Sequence, residues 1–233
     1  MDILEFKNVS HNDILHNISG TLRESKITTF VGPSGAGKTT CLKMINGLLS
    51  ADTGEVLFRG KNIFDYEITK LRKNISMAFQ SSPMIDGTVY DNLNLPSDIH
   101  GETLDRKRAA GLLSLVDLDE SFLDRRVRDI SGGERSRVSL ARTCVHEPEV
   151  LLLDEITSSL DYVLVREIER LVKRMQSEMD ITVIWVTHDL EQAKRVSHDM
   201  WFLRDGELLE QGPAEFIEKS KNPEIQAFVK GEK

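Results

Sequence analysis

The sequence runs to 233 residues, 39% hydrophobic and 29% charged, enough chain to bury a full core as one domain with an insertion or as two small lobes. Its formal net charge of −8 argues against a broad electrostatic surface for nucleic acid, and none is expected as a partner. No apolar run approaches the roughly 20 residues of a membrane-spanning helix, and Met1-Asp2-Ile3-Leu4-Glu5 opens as a strand rather than as a leader, so a cytosolic protein is expected.

Residues 3–9 alternate as a short strand and 18–24 return as a second, with Ser10-His11-Asn12-Asp13 as turn chemistry between them. An antiparallel pair beside the main sheet is the expected arrangement. The apolar run 27–31 then leads into Gly32-Pro33-Ser34-Gly35-Ala36-Gly37-Lys38-Thr39-Thr40, which fits G-x-x-x-x-G-K-S/T, and a helical pattern follows at Leu42, Met44, Ile45, Leu48 and Leu49. Strand, glycine loop and helix is the context in which backbone N–H groups turn inward around phosphate oxygens without Cβ clashes, with the helix N-terminus adding its positive end. Lys38 would reach the β- and γ-phosphates and the Thr39 hydroxyl would ligate Mg²⁺. A chance glycine turn is the alternative, and the flanking strand and helix weigh against it.

Further along, 54–58 reads as a strand, Arg59-Gly60-Lys61-Asn62 as a turn, and a helix is expected to start near Tyr66. Ile75-Ser76-Met77-Ala78-Phe79 is a buried-type strand ending at Gln80, where Ser81-Ser82-Pro83 breaks it. From about 84 to 145 strand signals give way to charged helical patterns at 89–95, 103–116 and 134–145. Val150-Leu151-Leu152-Leu153-Asp154 is a continuous apolar strand of the doubly covered parallel kind. A helix over 163–179, a strand over 181–186, a helix over 190–196 and a strand over 201–204 complete a βαβ rhythm, and the tail from Gly212 onward reads as a short polar helical ending. The expected fold class is α/β: a P-loop NTPase core with a mostly parallel sheet (1–83 and 146–233), a small antiparallel N-terminal β subdomain, and an inserted α-helical subdomain (84–145).

The two cysteines, Cys41 and Cys144, lack metal-ligand spacing. Cys41 follows the phosphate loop, where a polarised neighbourhood would lower a thiol pKa, but a small apolar packing residue is the preferred reading for both. Asp154, at the C-terminal end of its strand, is suited to Mg²⁺, and Glu155 to orienting or deprotonating an attacking water; the competing reading is two solvated carboxylates at a strand end. Ser131-Gly132-Gly133-Glu134 offers a second nest of N–H groups at a helix start. One chain does not need two cradles for one nucleotide, whereas two chains facing each other would use both.

Gly32 to Thr39, Gln80, Ser131 to Glu134, Leu151 to Glu155, Ser159-Leu160-Asp161 and His188, in that order, resemble the nucleotide-binding subunit of ABC transporters over essentially the whole chain. The resemblance implies an ATPase that forms a head-to-tail homodimer, two ATP molecules lying between the phosphate loop of one chain and the signature loop of the other. It implies that Gly32, Pro33, Ser34, Gly35, Ala36, Gly37, Lys38, Thr39 and Thr40 hold the phosphates, and that Thr39, Gln80 and Asp154 hold Mg²⁺. Ser131, Gly132 and Gly133 would contact the partner's ATP and Asp161 would lie at the dimer seam, while Glu155 would be the catalytic carboxylate, aided by Lys38, Gln80 and His188. The adenine usually stacks on an aromatic side chain near the first hairpin, and the short turn here offers His11. Departures from the family pattern are Ile130 and Glu134, where the signature usually has Leu and Gln, and Ile156, where Pro is common. Glu134 puts a carboxylate near a bound phosphate, with Arg135 and Arg137 as candidates to offset it.

The same resemblance implies a separate integral membrane permease, met by the face over 80–95, and a peripheral place on the cytoplasmic face of the plasma (inner) membrane. Thr88-Val89-Tyr90-Asp91-Asn92-Leu93, Asp154-Glu155-Ile156-Thr157-Ser158 and Trp185-Val186-Thr187-His188-Asp189 together look like a subgroup that serves metal (iron) exporters linked to oxidative-stress resistance; Leu209-Glu210-Gln211-Gly212-Pro213 and Asn222-Pro223 resemble phosphate and polar amino-acid importer ATPases. The first is favoured, although cargo specificity would live in the permease. A soluble ABC ATPase acting on ribosomes or DNA would carry a second cassette, a long coiled coil or a zinc insertion, and an ordinary P-loop kinase or GTPase leaves Ser131–Glu134 and His188 unexplained.

Overall fold

The structure, a computed structural model, describes residues 1–81 and 83–231; Ser82, in the expected break after Gln80, lies outside the described residues. In chain order the elements are β1 (Asp2–His11), β2 (Leu15–Arg23), β3 (Ile27–Val31), α1 (Lys38–Ile45), β4 (Thr53–Phe58), β5 (Lys61–Asn62), α2 (Ile68–Asn74) and β6 (Ile75–Ala78). Then come α3 (Val89–Asp98), α4 (Arg106–Leu115), α5 (Gly132–Thr143), β7 (Val150–Asp154), α6 (Tyr162–Met179), β8 (Thr182–Val186) and α7 (Leu190–Val196). The chain closes with β9 (Asp199–Arg204), β10 (Glu207–Pro213), α8 (Phe216–Lys219) and α9 (Pro223–Val229).

The strands form two sheets. One is antiparallel with order β2-β1-β4-β5; the other runs β10-β9-β3-β8-β7-β6, parallel except for the antiparallel edge strand β10. Every residue of β3, β7 and β8 is buried, which is why β7 and β8 read as apolar runs rather than alternating ones, while β3 buries Thr28 and Thr29 between its apolar residues. The two sheets meet through aromatic side chains: Trp201 of β9 stacks on Phe30 of β3 at 4.9 Å between ring centroids and meets Phe6 of β1 edge-on at 5.5 Å. The helices between 84 and 145 pack on the other face, Val89, Leu93, Leu113 and Val138 sharing one buried cluster with Leu151, Leu153 and Trp185.

What positions the site is register. Phe30 pairs with Val186 and Val186 with Asp154, so the C-terminal ends of β3, β8 and β7 lie side by side and their following loops emerge on one edge.

Three expectations need correction. Leu48 and Leu49 are not helical: Gly47, at φ 67°, lies just beyond the end of α1, and the amides of Leu48 and Leu49 both turn back to the Lys43 carbonyl. The helix expected near Tyr66 begins at Ile68, after a single 3₁₀ turn over Ile63–Asp65. The segment from Gly212 is no simple polar tail: it continues β10, which returns through a turn at Asp205 and Gly206 (φ 47° and 79°), and Ile217 and Ile225 are buried beside Phe202.

Candidate active site

The loop between β3 and α1 needs glycine at both ends for different reasons. At Gly32 (φ 141°) a Cβ would stand 1.9 Å from the Leu203 carbonyl oxygen, and at Gly37 (φ 91°) 2.4 Å from a Leu15 methyl, so backbone approach and conformation both exclude a side chain. At Gly35 (φ 83°) a Cβ would meet nothing within 4 Å, so the middle of the loop presents open backbone. Lys38 opens α1 and curls back, its Nζ donating to the carbonyls of Gly32 (2.9 Å) and Pro33 (2.6 Å). It is 5% exposed, and burial lowers its pKa against the opposing pull of Glu155 and Asp154. The first amides of α1, at Lys38, Thr39 and Thr40, face a helix start where N–H groups lack intrahelical acceptors.

Thr39 Oγ1 donates to Asp154 Oδ1 at 2.8 Å, joining the first turn of α1 to the end of β7. Asp154 is 9% exposed; burial raises its pKa, with the Thr39 hydrogen bond working the other way. Glu155 leaves the strand in the left-handed region (φ 48°) while its N–H still donates to the Val186 carbonyl at 3.1 Å. That turn brings Glu155 Oε2 to 3.7 Å from Nδ1 of His188, which is 61% exposed at the end of the segment after β8. Gln80 donates from Nε2 to Ser158 Oγ at 3.0 Å, and Gln80, Asp154, Ser159 and Lys43 line one cavity of about 490 Å³. Sequence reasoning missed Lys43 and Ser158. Lys43 stands one helical turn beyond Thr39, and its charge lowers the pKa of Asp154; the i, i+4 spacing from Thr39 was the available signal.

His11 does not present the open ring expected of a stacking platform. Its side chain is 13% exposed, with Nδ1 3.6 Å from Asp52 and Nε2 3.1 Å from the Asn12 amide. The exposed apolar residue of that turn beside the phosphate loop is Ile14, whose carbonyl oxygen lies 3.3 Å from where a Gly37 Cβ would be.

Ser131 and Glu134 form a reciprocal cap at the start of α5. The Ser131 N–H donates to Glu134 Oε2 at 2.6 Å and the Glu134 N–H to Ser131 Oγ at 3.2 Å. These bonds hold the Glu134 carboxyl below its usual range, with Arg125 and Arg137 adding to the effect; Arg135, a candidate from sequence, is not among the causes. A Cβ at Gly133 would stand 2.8 Å from Leu164 of α6, and the N–H of Leu164 donates to Asp161 Oδ1 at 3.0 Å, so the signature turn and Asp161 share one face. Among the described residues no hydrogen bond links residues 131–134 to the phosphate loop. Cys41 and Cys144 are buried and free, their thiols pushed up to about 12 by burial, as packing residues would be.

A family model described as ABC transporter matches residues 15–158. The chain belongs to the ABC transporter family. The ABC transporter ATP-binding protein YjkB of Bacillus subtilis (strain 168) is 44% identical over 220 residues, 94% of this chain and 87% of that one. Among solved structures, CbiO1 from Clostridium perfringens, described as part of the ABC transporter complex CbiONQ, matches with a TM-score of 0.86 at 29% identity, covering 98% of this chain and 95% of that one. The dimeric ABC cassette MJ0796 matches with a TM-score of 0.78 at 30% identity, covering 91% of this chain and 99% of that one. A post-hydrolysis state of MJ0796 bound to ADP and Pi gives a TM-score of 0.75 at 28% identity, covering 91% and 99%. This ABC cassette is therefore an ATPase.

Proposed function

We propose that this ABC chain is the hydrolytic subunit of a transporter, pairing head to tail with a second copy around two ATP–Mg²⁺ and driving a separate membrane permease. The observation that carries the dimer is the separation, on one chain, of two helix starts suited to phosphate: the loop 32–40, and the turn 131–134, which no described hydrogen bond ties to it. Two copies facing each other complete both.

The residues fit the cation the family implies. The Thr39 hydroxyl and the Asp154 carboxylate are hard oxygen donors already in contact, Gln80 lines the same cavity, and burial disfavours the charge on Asp154 unless a cation stands beside it. Mg²⁺ bound there would neutralise phosphate charge. Lys38 exchanges its two carbonyl acceptors for β- and γ-phosphate oxygens. Glu155, carried outward by its left-handed backbone, accepts the proton of the attacking water, and His188 beside it donates to the γ-phosphate. At the adenine end, Ile14 offers an apolar contact where His11 is turned toward Asp52.

The 84–145 segment serves as the helical subdomain that meets the permease. Between it and the core lies a cavity of about 590 Å³ whose lining includes Met77, Phe79, Leu95, Ile99 and Arg142, suited to a short amphipathic helix. Among the described residues no helix is long and apolar enough to cross a membrane. On this reading the cargo path is assigned to the partner permease and the ATPase to a peripheral place on the cytoplasmic face. For cargo, the runs around Thr88 and Trp185 favour a metal exporter over a phosphate or polar amino-acid importer.

The test is co-purification from the native cell. The tagged Glu155→Gln form, held with ATP in mild detergent, is expected to bring down a multi-span membrane protein. Ribosomal or DNA-bound material without a membrane partner would overturn the transporter reading.

A further inference from the structure

We propose that Gln192 is a positioning residue of the ATPase: its buried amide ties the loop that carries Glu155 to the segment that carries His188, so that the two groups reach hydrolysing geometry together. The inference rests on the assignment of Glu155 and His188 to hydrolysis.

Gln192 lies in the first turn of α7 and is 1% exposed. Its Oε1 accepts from Thr187 Oγ1 at 2.7 Å, and Thr187 immediately precedes His188. The Thr157 hydroxyl, two residues beyond Glu155, lies 3.2 Å from Oε1 and 3.1 Å from Nε2 of the same amide. Nε2 also donates to Glu169 Oε1 at 3.4 Å. Glu169, buried on α6, is held by Arg195 through two hydrogen bonds (2.7 and 3.2 Å) and by Arg166 at 2.9 Å. A carboxylate so paired only accepts, which fixes the amide with nitrogen toward Glu169 and oxygen toward Thr187. The backbone completes the clip: the Asp189 N–H donates to Thr187 Oγ1 at 3.1 Å and the Gln192 N–H to Asp189 Oδ1 at 3.0 Å.

A buried amide is costly unless its donors and acceptor are used, and a Leu or Met would fill the same space without that demand. Here both ends of the amide are used, and they are used on the two segments that flank the reacting groups. Among the described residues no hydrogen bond of this network reaches the phosphate loop or the signature turn. Glutamate at the position would lose the donor and set a second carboxylate against Glu169, so the arrangement calls for an amide.

The experiment uses the full chain with Mg²⁺ and ATP and compares Gln192→Met with wild type. Expected is a kcat lower by about tenfold with KM and equilibrium ATP binding within about twofold, since the phosphate cradle is untouched. Thr157→Val, which trades one hydroxyl for a methyl, should lower kcat in the same way and carries the test if Gln192→Met fails to fold. Gln192→Glu should be slow at alkaline pH and recover as pH falls, because protonation restores a donor. A folded Gln192→Met or Thr157→Val chain with wild-type kcat, or one losing ATP binding in step with kcat, would overturn the proposal. Glu155→Gln run alongside separates the failures: if it too hydrolyses at wild-type rate, the assignment of Glu155 falls rather than the clip.

Discussion

The phosphate loop and the signature turn both lead into a helix N-terminus, yet they hold charge in opposite ways. At the loop, Lys38 and Asp154 are almost fully covered, and burial pushes each toward its neutral form. At the turn, Ser131 and Glu134 lie on the surface and satisfy each other, and the carboxylate is held ionised. The first region keeps charges dry at a cost to the fold that phosphate and a cation would offset. The second is satisfied alone, and on the proposed head-to-tail reading its backbone would meet a ligand only when another chain faces it.

The hardest blow to the first region is Glu155→Gln, which removes the proton acceptor but leaves the loop intact. Phosphate release should fall by about a hundredfold or more while ATP binding persists, and a wild-type rate would show that Glu155 is not the base. Ser131→Arg strikes the second region. In a Glu155→Gln background it should abolish the ATP-dependent dimer seen by size-exclusion chromatography and leave monomer ATP affinity within about twofold; a surviving dimer would leave the two regions with nothing in common. Lys38→Ala should weaken nucleotide binding by about tenfold or more, the worth of a charge-assisted hydrogen bond, without touching the cap at Ser131. Equilibrium binding of a fluorescent ATP analogue measures it.

Asp154→Asn gives the smallest and most telling shift. A carboxyl whose pKa is raised by folding destabilises the fold once it ionises, so the loss is absent below the unfolded value near 3.9 and grows as pH rises through the folded one. The Asn variant keeps the acceptor for Thr39 and should unfold about 2–4 °C higher at neutral pH, for a gain on the order of 1 kcal/mol, with the gap closing toward acid. Hydrolysis should fall at the same time. A variant less stable than wild type at neutral pH would mean that the buried charge is already compensated.

How far the sequence disclosed this molecule depended on whether a signal was local. The strands β7 and β8 are continuous because both faces are covered, and Thr39, Asp154, Glu155 and His188 each sit at or just after an element whose end the pattern marks. By contrast β10 is a half-buried edge strand without alternation, and only the Asp205-Gly206 pair announced its hairpin. Leu48 and Leu49 keep helical spacing, yet Gly47 in the left-handed region ends the run before them. Gln80 finds Ser158, and Gln192 finds Thr157 and Glu169, only after the sheet has folded, so no spacing could have announced those pairs. His11 was the aromatic-like choice in its turn, and only the fold shows that its ring is mostly covered, with Nδ1 3.6 Å from Asp52, far along the chain.

Cys41 sits in the same helix as Lys38 and Thr39, fully buried, with a thiol held protonated to about pH 12. Peroxides and maleimides react with the thiolate, so they find no nucleophile there while the protein is folded. Labelling of Cys41 would instead record how often the helix behind the phosphates comes undone, which makes the residue a built-in clock for local unfolding.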